Sequence, residues 1–348
     1  YDEQVLEQWE KIIDSVENKE EVIYLYFELL IRLKEFSQIL KKLEKYKKQL
    51  YGSFEYYKHY LIASYGIRSY DQALRSALSA RKIDPAQKII DLYEGKIYFE
   101  TQQFENAKQK AKAVLQVEPQ NEEAHLLLIS VLEATNKFSD ALHAVNIALE
   151  NCPDSLSLNI TKIWVLRADK NLPAALQLAS QLTTQYPENG EIIGCTALLY
   201  NDLGDHQAAE ATARKALRLK PDQAGIQLLL GKIIKERGHL DQALDFFGKA
   251  SSQTPDSVEP WLEMGNIYIE LDDLAKAMDA FQKAINVNNK DYRAYLKAGL
   301  LFKDIKDYQG AEKMLRIAAE INPKDAGIRR QLAGVTALNF VHTPKEMN

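Results

Sequence analysis

The chain has 348 residues, 46% hydrophobic and 27% charged, with a net charge of −5 and no apolar run long enough to span a bilayer. That balance carries no global basic signature of a nucleic-acid binder. Cys152 and Cys195 lie far apart, which excludes a disulfide framework or a CxxC pair, and the scarcity of glycine and proline leaves the bulk of the chain to helix.

The prolines set a ruler. Pro85, Pro119, Pro153, Pro187, Pro221 and Pro255 fall 34 residues apart, Asn289 takes the next place and Pro323 the one after. A fixed period of this size marks a helical solenoid. In this frame residues 1–19 put Val5, Trp9 and Ile12 at positions 20, 24 and 27 of a unit that begins before residue 1. They read as the second helix of a pair whose first helix is missing. The natural chain is therefore expected to continue upstream with another repeat, a further domain or a targeting segment. A degenerate unit starts at Glu20, with Ile39 at position 20 and Tyr51 at the proline position. Units then start at Phe54, Lys88, Glu122, Leu156, Gly190, Ala224, Val258 and Tyr292, and all eight carry alanine at position 20, from Ala73 to Ala311. Nine units thus cover residues 20–325.

The unit at Val258 is the most complete, with Trp261, Met264, Gly265, Tyr268, Ala277, Phe281 and Ala284 at positions 4, 7, 8, 11, 20, 24 and 27. This pattern resembles the tetratricopeptide (TPR) repeat. The resemblance implies an all-α fold, a right-handed superhelical α-solenoid of helix-turn-helix units. Each unit is too small to bury its apolar faces alone, so neighbours stack into one core. Small residues at positions 8 and 20 let the two helices of a unit approach, and Trp261 and Tyr268 read as core. The bulky Leu61, Ile129 and Ile163 at position 8 are expected to push the helices apart. Residues 326–341 read as a capping helix, with Leu332 and Ala333 at positions 7 and 8 and Arg329, Arg330 and Gln331 facing water. Residues 342–348 read as a frayed tail. The apolar end of the capping helix, ALNFV, suggests self-association.

Nothing in the residues nominates chemistry. The six histidines show no HxxxH or HExxH spacing, there is no Gly-rich phosphate loop and no GxSxG, and neither cysteine has a placed histidine. The dense carboxylates are expected on solvated helical faces. No enzyme activity, cofactor or metal is expected.

Function is expected instead on the inner groove, which in the TPR family is lined by the first helix of each unit through positions 2, 5, 9, 12 and 13. Those positions include Tyr24 and Arg32, Lys58 and Tyr65, and Lys96 and Phe99. They continue through Glu133, Trp164, Arg167 and Asn201 to Lys232, Lys235, Asn266 and Lys303. Trp164 with Arg167 pairs an aromatic with an arginine, typical interface anchors. The family's carboxylate clamp is absent, because Lys58 is followed by Ile62 rather than asparagine and Asn266 is preceded by Leu262 rather than lysine. The asparagine ladder of the sugar-transferring TPR enzymes is also absent.

Residues 32–58 carry eight Lys or Arg against three Glu, including Lys41, Lys42, Lys45, Lys47 and Lys48, in a tyrosine-rich stretch. A solvated outer face accounts for them, and a docking patch for an acidic partner, a membrane surface or nucleic acid is the sharper alternative. The leading functional reading is a scaffold that binds a peptide or helix of another protein in its groove. A regulatory or targeting module of a larger signalling or transferase chain is the alternative. RNA binding ranks last, because the period stays at 34 and the chain is acidic. Low cysteine use suits a reducing cytoplasm, with a periplasm or an organelle left open.

Overall fold

The computed structural model describes residues 8, 9, 11–13, 15, 16 and 19–342, and among these every regular element is a helix. The helices gather into two compact units, Tyr1–Asn171 and Leu172–Asn348. The first holds α1 (Lys19–Arg32), α2 (Phe36–Lys45), the short α3 (Lys47–Leu50), α4 (Phe54–Gly66), α5 (Tyr70–Ile83), α6 (Lys88–Glu100), α7 (Phe104–Leu115), α8 (Glu122–Ala134), α9 (Phe138–Asn151) and α10 (Leu156–Ala168). The second holds α11 (Leu172–Gln185), α12 (Gly190–Asp202), α13 (His206–Leu219), α14 (Ala224–Glu236), α15 (Leu240–Gln253), α16 (Glu259–Glu270), α17 (Leu274–Val287), α18 (Tyr292–Asp304), α19 (Tyr308–Ile321) and α20 (Ala326–His342).

Starts and stops follow from local chemistry. Several first helices begin on a capping side chain that accepts from a backbone N–H of the first turn: Ser53 from Tyr56, Asn121 from Ala124, Ser155 from Leu158 and Asn189 from Ile192. The turn between the two helices of a pair is more uniform still. Left-handed φ values recur at Lys34, Arg68, Gln102, Asn136, Lys170, Gly204, Gly238, Asp272 and Lys306, each 34 residues after the last. In every case the next residue sends its N–H back to a carbonyl five residues earlier, as Gln103 does to Tyr98 at 2.7 Å and Asp205 to Tyr200 at 2.9 Å. This six-to-one bond closes a Schellman turn, which glycine normally serves because a Cβ is strained at positive φ. Here only two of the nine positions are glycine. Gln102→Gly should therefore stabilise the protein by about 0.5–1 kcal/mol, the relief of left-handed strain exceeding the extra freedom of the unfolded chain. Asn136→Gly should give less, since asparagine tolerates this region. Urea unfolding of the two variants checks the order.

Packing explains the residue types at positions 8 and 24. A Cβ on Gly265 would sit 2.3 Å from the Phe281 ring, and one on Gly231 would sit 2.5 Å from Phe247. In the Phe54 and Glu122 units position 8 is bulky and position 24 is smaller. Leu61 shares its buried cluster with Ala77, and Ile129 shares its cluster with Val145. Bulk on the first helix is thus matched by a smaller side chain on the second. The alanines at position 20 are fully buried, from Ala73 to Ala311. Trp261 and Tyr268 are partly buried against the core, with the Lys283 and Lys276 ammonium groups over their rings.

The ends depart from expectation. Val5 lies outside the described residues, as do residues 343–348 of the tail. Trp9 stacks on Tyr26 at 5.9 Å, but Ile13 is fully buried while Ile12 is 46% exposed, one residue off the expected phase. In α20 the buried residues are Ile328 and Val335, with Leu332 partly buried and Ala333 exposed. This helix packs on α19, and among the described residues no second helix of its own closes over position 8. Gln331 does not face water: it is half-buried and accepts a hydrogen bond from Lys303.

Candidate functional site

Within each compact unit the first helices of successive repeats pack side by side: α4 on α6, α6 on α8 and α8 on α10, then α12 on α14 and α14 on α16. Position 12 of these helices forms a row. In the first unit that row is Tyr65, Phe99, Glu133 and Arg167, all half-buried. Burial lifts the Tyr65 hydroxyl to a pKa of about 12, and its ring meets Tyr93 edge-on at 5.4 Å. Phe99 meets Phe104 edge-on at 5.8 Å. Trp164 is half-buried with the Arg167 guanidinium 5.4 Å from its ring centroid, so the anchor pair expected from the sequence does come together. Glu133 has no hydrogen bond or ion pair from its carboxylate among the described residues, and burial raises its pKa. Desolvation disfavours its charged form, and a cation brought alongside would restore it.

The expected groove lysines are committed to a different task. Lys232 at position 9 reaches Glu259 at position 2 of the next unit at 2.7 Å, and Arg293 at position 2 of the following unit meets the same carboxylate at 2.8 Å. Lys96 pairs with Glu123 across the same spacing, Lys235 pairs with Glu263 at 2.7 Å, and Lys303 bonds Gln331 at 3.1 Å. Burial alone would raise the pKa of Glu259, but hydrogen bonds from Lys232 and Arg293 outweigh it and hold the carboxylate below its usual range. These pairs tie successive first helices together along the wall. Lys58 likewise meets Glu55 at 2.6 Å and Glu28 at 3.5 Å. Tyr24 packs inward, stacked on the His59 ring at 5.1 Å with its hydroxyl 2.7 Å from the Ser53 hydroxyl. Asn201 and Asn266 are half-buried, and Arg32 is exposed.

Two carboxylates overturn the expectation of solvated faces. Asp91 and Glu94, at positions 4 and 7 of α6 where the repeat usually carries apolar residues, are each 6% exposed. The Arg81 guanidinium on α5 donates to both, at 2.9 and 2.8 Å, and Lys110 on α7 bridges the same two groups. Burial acts to raise the pKa of Asp91, and the hydrogen bonds from Lys110 and Arg81 overcome it, holding the group below its usual value.

The basic residues Lys41, Lys42 and Lys45 lie on α2, and Lys47 and Lys48 on α3. Lys42 is half-buried and the others are exposed, Lys47 pairs with Glu44 at 3.1 Å, and Lys45 lies over the Tyr46 ring. Beside them Tyr51, Tyr56 and Tyr57 make mutual edge-on contacts of 5.2–6.0 Å. Among the described residues no group of three His, Cys, Asp or Glu is placed to hold a metal, and no helix is long and apolar enough to cross a membrane.

Profiles of the tetratricopeptide repeat match residues 98–157 and 235–300, and 197–223 and 292–325, more than half of the chain together. The chain is a tetratricopeptide repeat protein. A search by sequence among curated proteins returns no match. Among solved structures this TPR chain is similar to the APC/C hetero-tetramer Cut9-Hcn1, with a TM-score of 0.58 at 13% identity over 94% of its length. It spans 66% of that structure's chain, just under two thirds. It is also similar to human IFIT1 solved as a dimer with PPP-AAAA, with a TM-score of 0.61 at 18% identity, covering 98% of this chain and 86% of that one. A tetratricopeptide repeat protein from Parabacteroides merdae gives a TM-score of 0.50 at 19% identity over 72% of this chain and 98% of its own. At these identities the likeness is one of fold.

Proposed function

We propose that this chain is a non-catalytic scaffold that holds a peptide segment of a partner protein along the first-helix wall of its N-terminal compact unit. TPR repeats generally mediate protein–protein interaction, and this chain matches them over more than half of its length. The observation that carries this reading is the position-12 row around Trp164. A half-buried indole and two further half-buried rings, Tyr65 and Phe99, supply apolar surface, while Glu133 lacks a cation among the described residues. A segment with an apolar side chain for the indole and a basic group for Glu133 meets both needs. On that wall the Lys96–Glu123 pair acts as part of the frame, since its charges are already matched.

The test compares affinity capture by the parent chain and by a Trp164→Ala, Arg167→Ala variant, read by mass spectrometry. An anchor pair of this kind should weaken binding by about 2 kcal/mol or more, roughly 30-fold, so a specific partner should be lost from the variant. Retention of the same partners by both chains would sink the assignment and move attention to the lysines of α2 and α3.

A further inference from the structure

The second-helix side of the N-terminal unit has a feature that the first-helix wall does not share. Between α7, α8 and α9 lies a cavity of about 390 Å³, within the range of ligand-sized pockets. Its apolar lining includes Leu128, Leu132, Ala144 and Ile147, and Lys108 and Lys112 line it from α7. Its origin can be read from two later repeats. At position 4 of the Val258 unit, Trp261 fills the equivalent space beneath the position-26 residue Lys283. At position 4 of the Ala224 unit stands Gln227, tied back to the Pro221 carbonyl at 3.2 Å, and Phe246 at position 23 supplies the missing ring. In the Glu122 unit both fillings are absent. His125 at position 4 is buried and tied back to the Pro119 carbonyl at 2.8 Å, and position 23 is Ala144. The repeat thus has a vacancy where the Ala224 and Val258 units place a large ring.

Charge narrows the occupant. Lys108 and Lys112, one turn apart on α7, have no carboxylate partner among the described residues, unlike the lysines along the wall. Asp140 and His143 complete the polar rim from α9. We infer that this cavity docks an aromatic side chain of a partner protein, presented on an acidic segment whose carboxylates pair with Lys108 and Lys112. The partner's ring takes the place that Trp261 occupies in the Val258 unit and Phe246 in the Ala224 unit, and the site is separate from the proposed groove.

The probe is a fluorescein-labelled peptide with one tryptophan flanked on each side by two glutamates, titrated into the full chain and followed by anisotropy. Saturable binding is expected that weakens at high salt and falls about tenfold or more when the peptide's tryptophan is replaced by alanine. His125→Trp fills the cavity from within, as the Val258 unit does, and should abolish binding while the melting temperature is held or raised. Ala144→Phe fills it from α9 and serves if the first variant folds poorly. Lys108→Glu with Lys112→Glu should weaken binding about tenfold or more. The inference is overturned if the peptide does not bind at millimolar concentration, or if both folded cavity-filling variants bind as well as the parent. Equally tight binding of free indole-3-propionate would also overturn it, making the cavity a small-molecule site instead.

Discussion

Replacing Lys110 with methionine is expected to destabilise the protein by about 3 kcal/mol, because it removes the one ammonium that donates to both of two buried carboxylates. Asp91 and Glu94 are nearly as buried as the apolar core, and Lys110 donates to both. After the substitution Arg81 serves both groups and Lys88 reaches only Asp91, at 3.5 Å, so Glu94 is left to share the arginine and its desolvation is poorly offset. The group as a whole is not required for a stable repeat. A chain combining Arg81→Met, Asp91→Leu, Glu94→Leu and Lys110→Met should recover most of the loss at neutral pH, since replacing a buried ionic cluster with well-packed apolar residues is often neutral or stabilising. The pH dependence separates the two designs. The folded-state pKa of Asp91 lies below its unfolded value of about 3.9, so its stabilisation is fully present above that value and is lost as pH falls through the folded pKa. The parent should weaken on acidification below about pH 4 more steeply than the apolar quadruple variant. Urea unfolding midpoints at neutral and acid pH decide the matter: an unchanged midpoint for Lys110→Met would mean that water already solvates the carboxylates.

The repeat was legible because it is written in small residues and prolines, whose constraints are local. Ala277 at position 20 and Gly265 at position 8 are forced by the close approach of two helices, and no other residue type fits as well. The turns were less legible. Gln102, Lys170 and Lys306 adopt a left-handed φ that their residue type argues against, because the closing Schellman bond and the packing of both helices impose it. Burial of Asp91 and Glu94 could not be read from spacing, since a carboxylate at position 4 or 7 gives no sign of the arginine and lysine that meet it from flanking helices. A signal for the wall pairs did exist. Lysine at position 9 and glutamate 27 residues later recur at Lys96 with Glu123 and at Lys232 with Glu259, and this is the offset of neighbouring first helices. The family's ligand-facing positions identified side chains on the wall, but not which of them were already engaged with one another. That distinction separates Trp164 and Glu133 from Lys232 and Lys235.

The matching of positions 8 and 24 gives the second large prediction. In the Ala224 unit Gly231 lies against Phe247, whereas in the Phe54 unit Leu61 shares its cluster with Ala77, the same two sites with the volumes reversed. Phe247→Ala alone should cost about 3–5 kcal/mol, because the ring is fully buried and its removal leaves a cavity behind Gly231. Gly231→Leu alone should cost about 1–3 kcal/mol, because its Cβ already falls inside contact distance of the ring and the added side chain must displace Phe247 or spread the helices. Together the two changes reproduce the arrangement used at Leu61 and Ala77, with leucine filling the space the ring vacates and glycine's helix penalty removed. The double variant should lie within about 2 kcal/mol of the parent, a favourable coupling of at least about 2 kcal/mol between the sites. A double-mutant cycle from urea unfolding measures it. Strict additivity would show that each first helix sets its distance independently of the residue opposite, and the bulk of Leu61 and Ile129 would then have to be absorbed by spreading of their helix pairs.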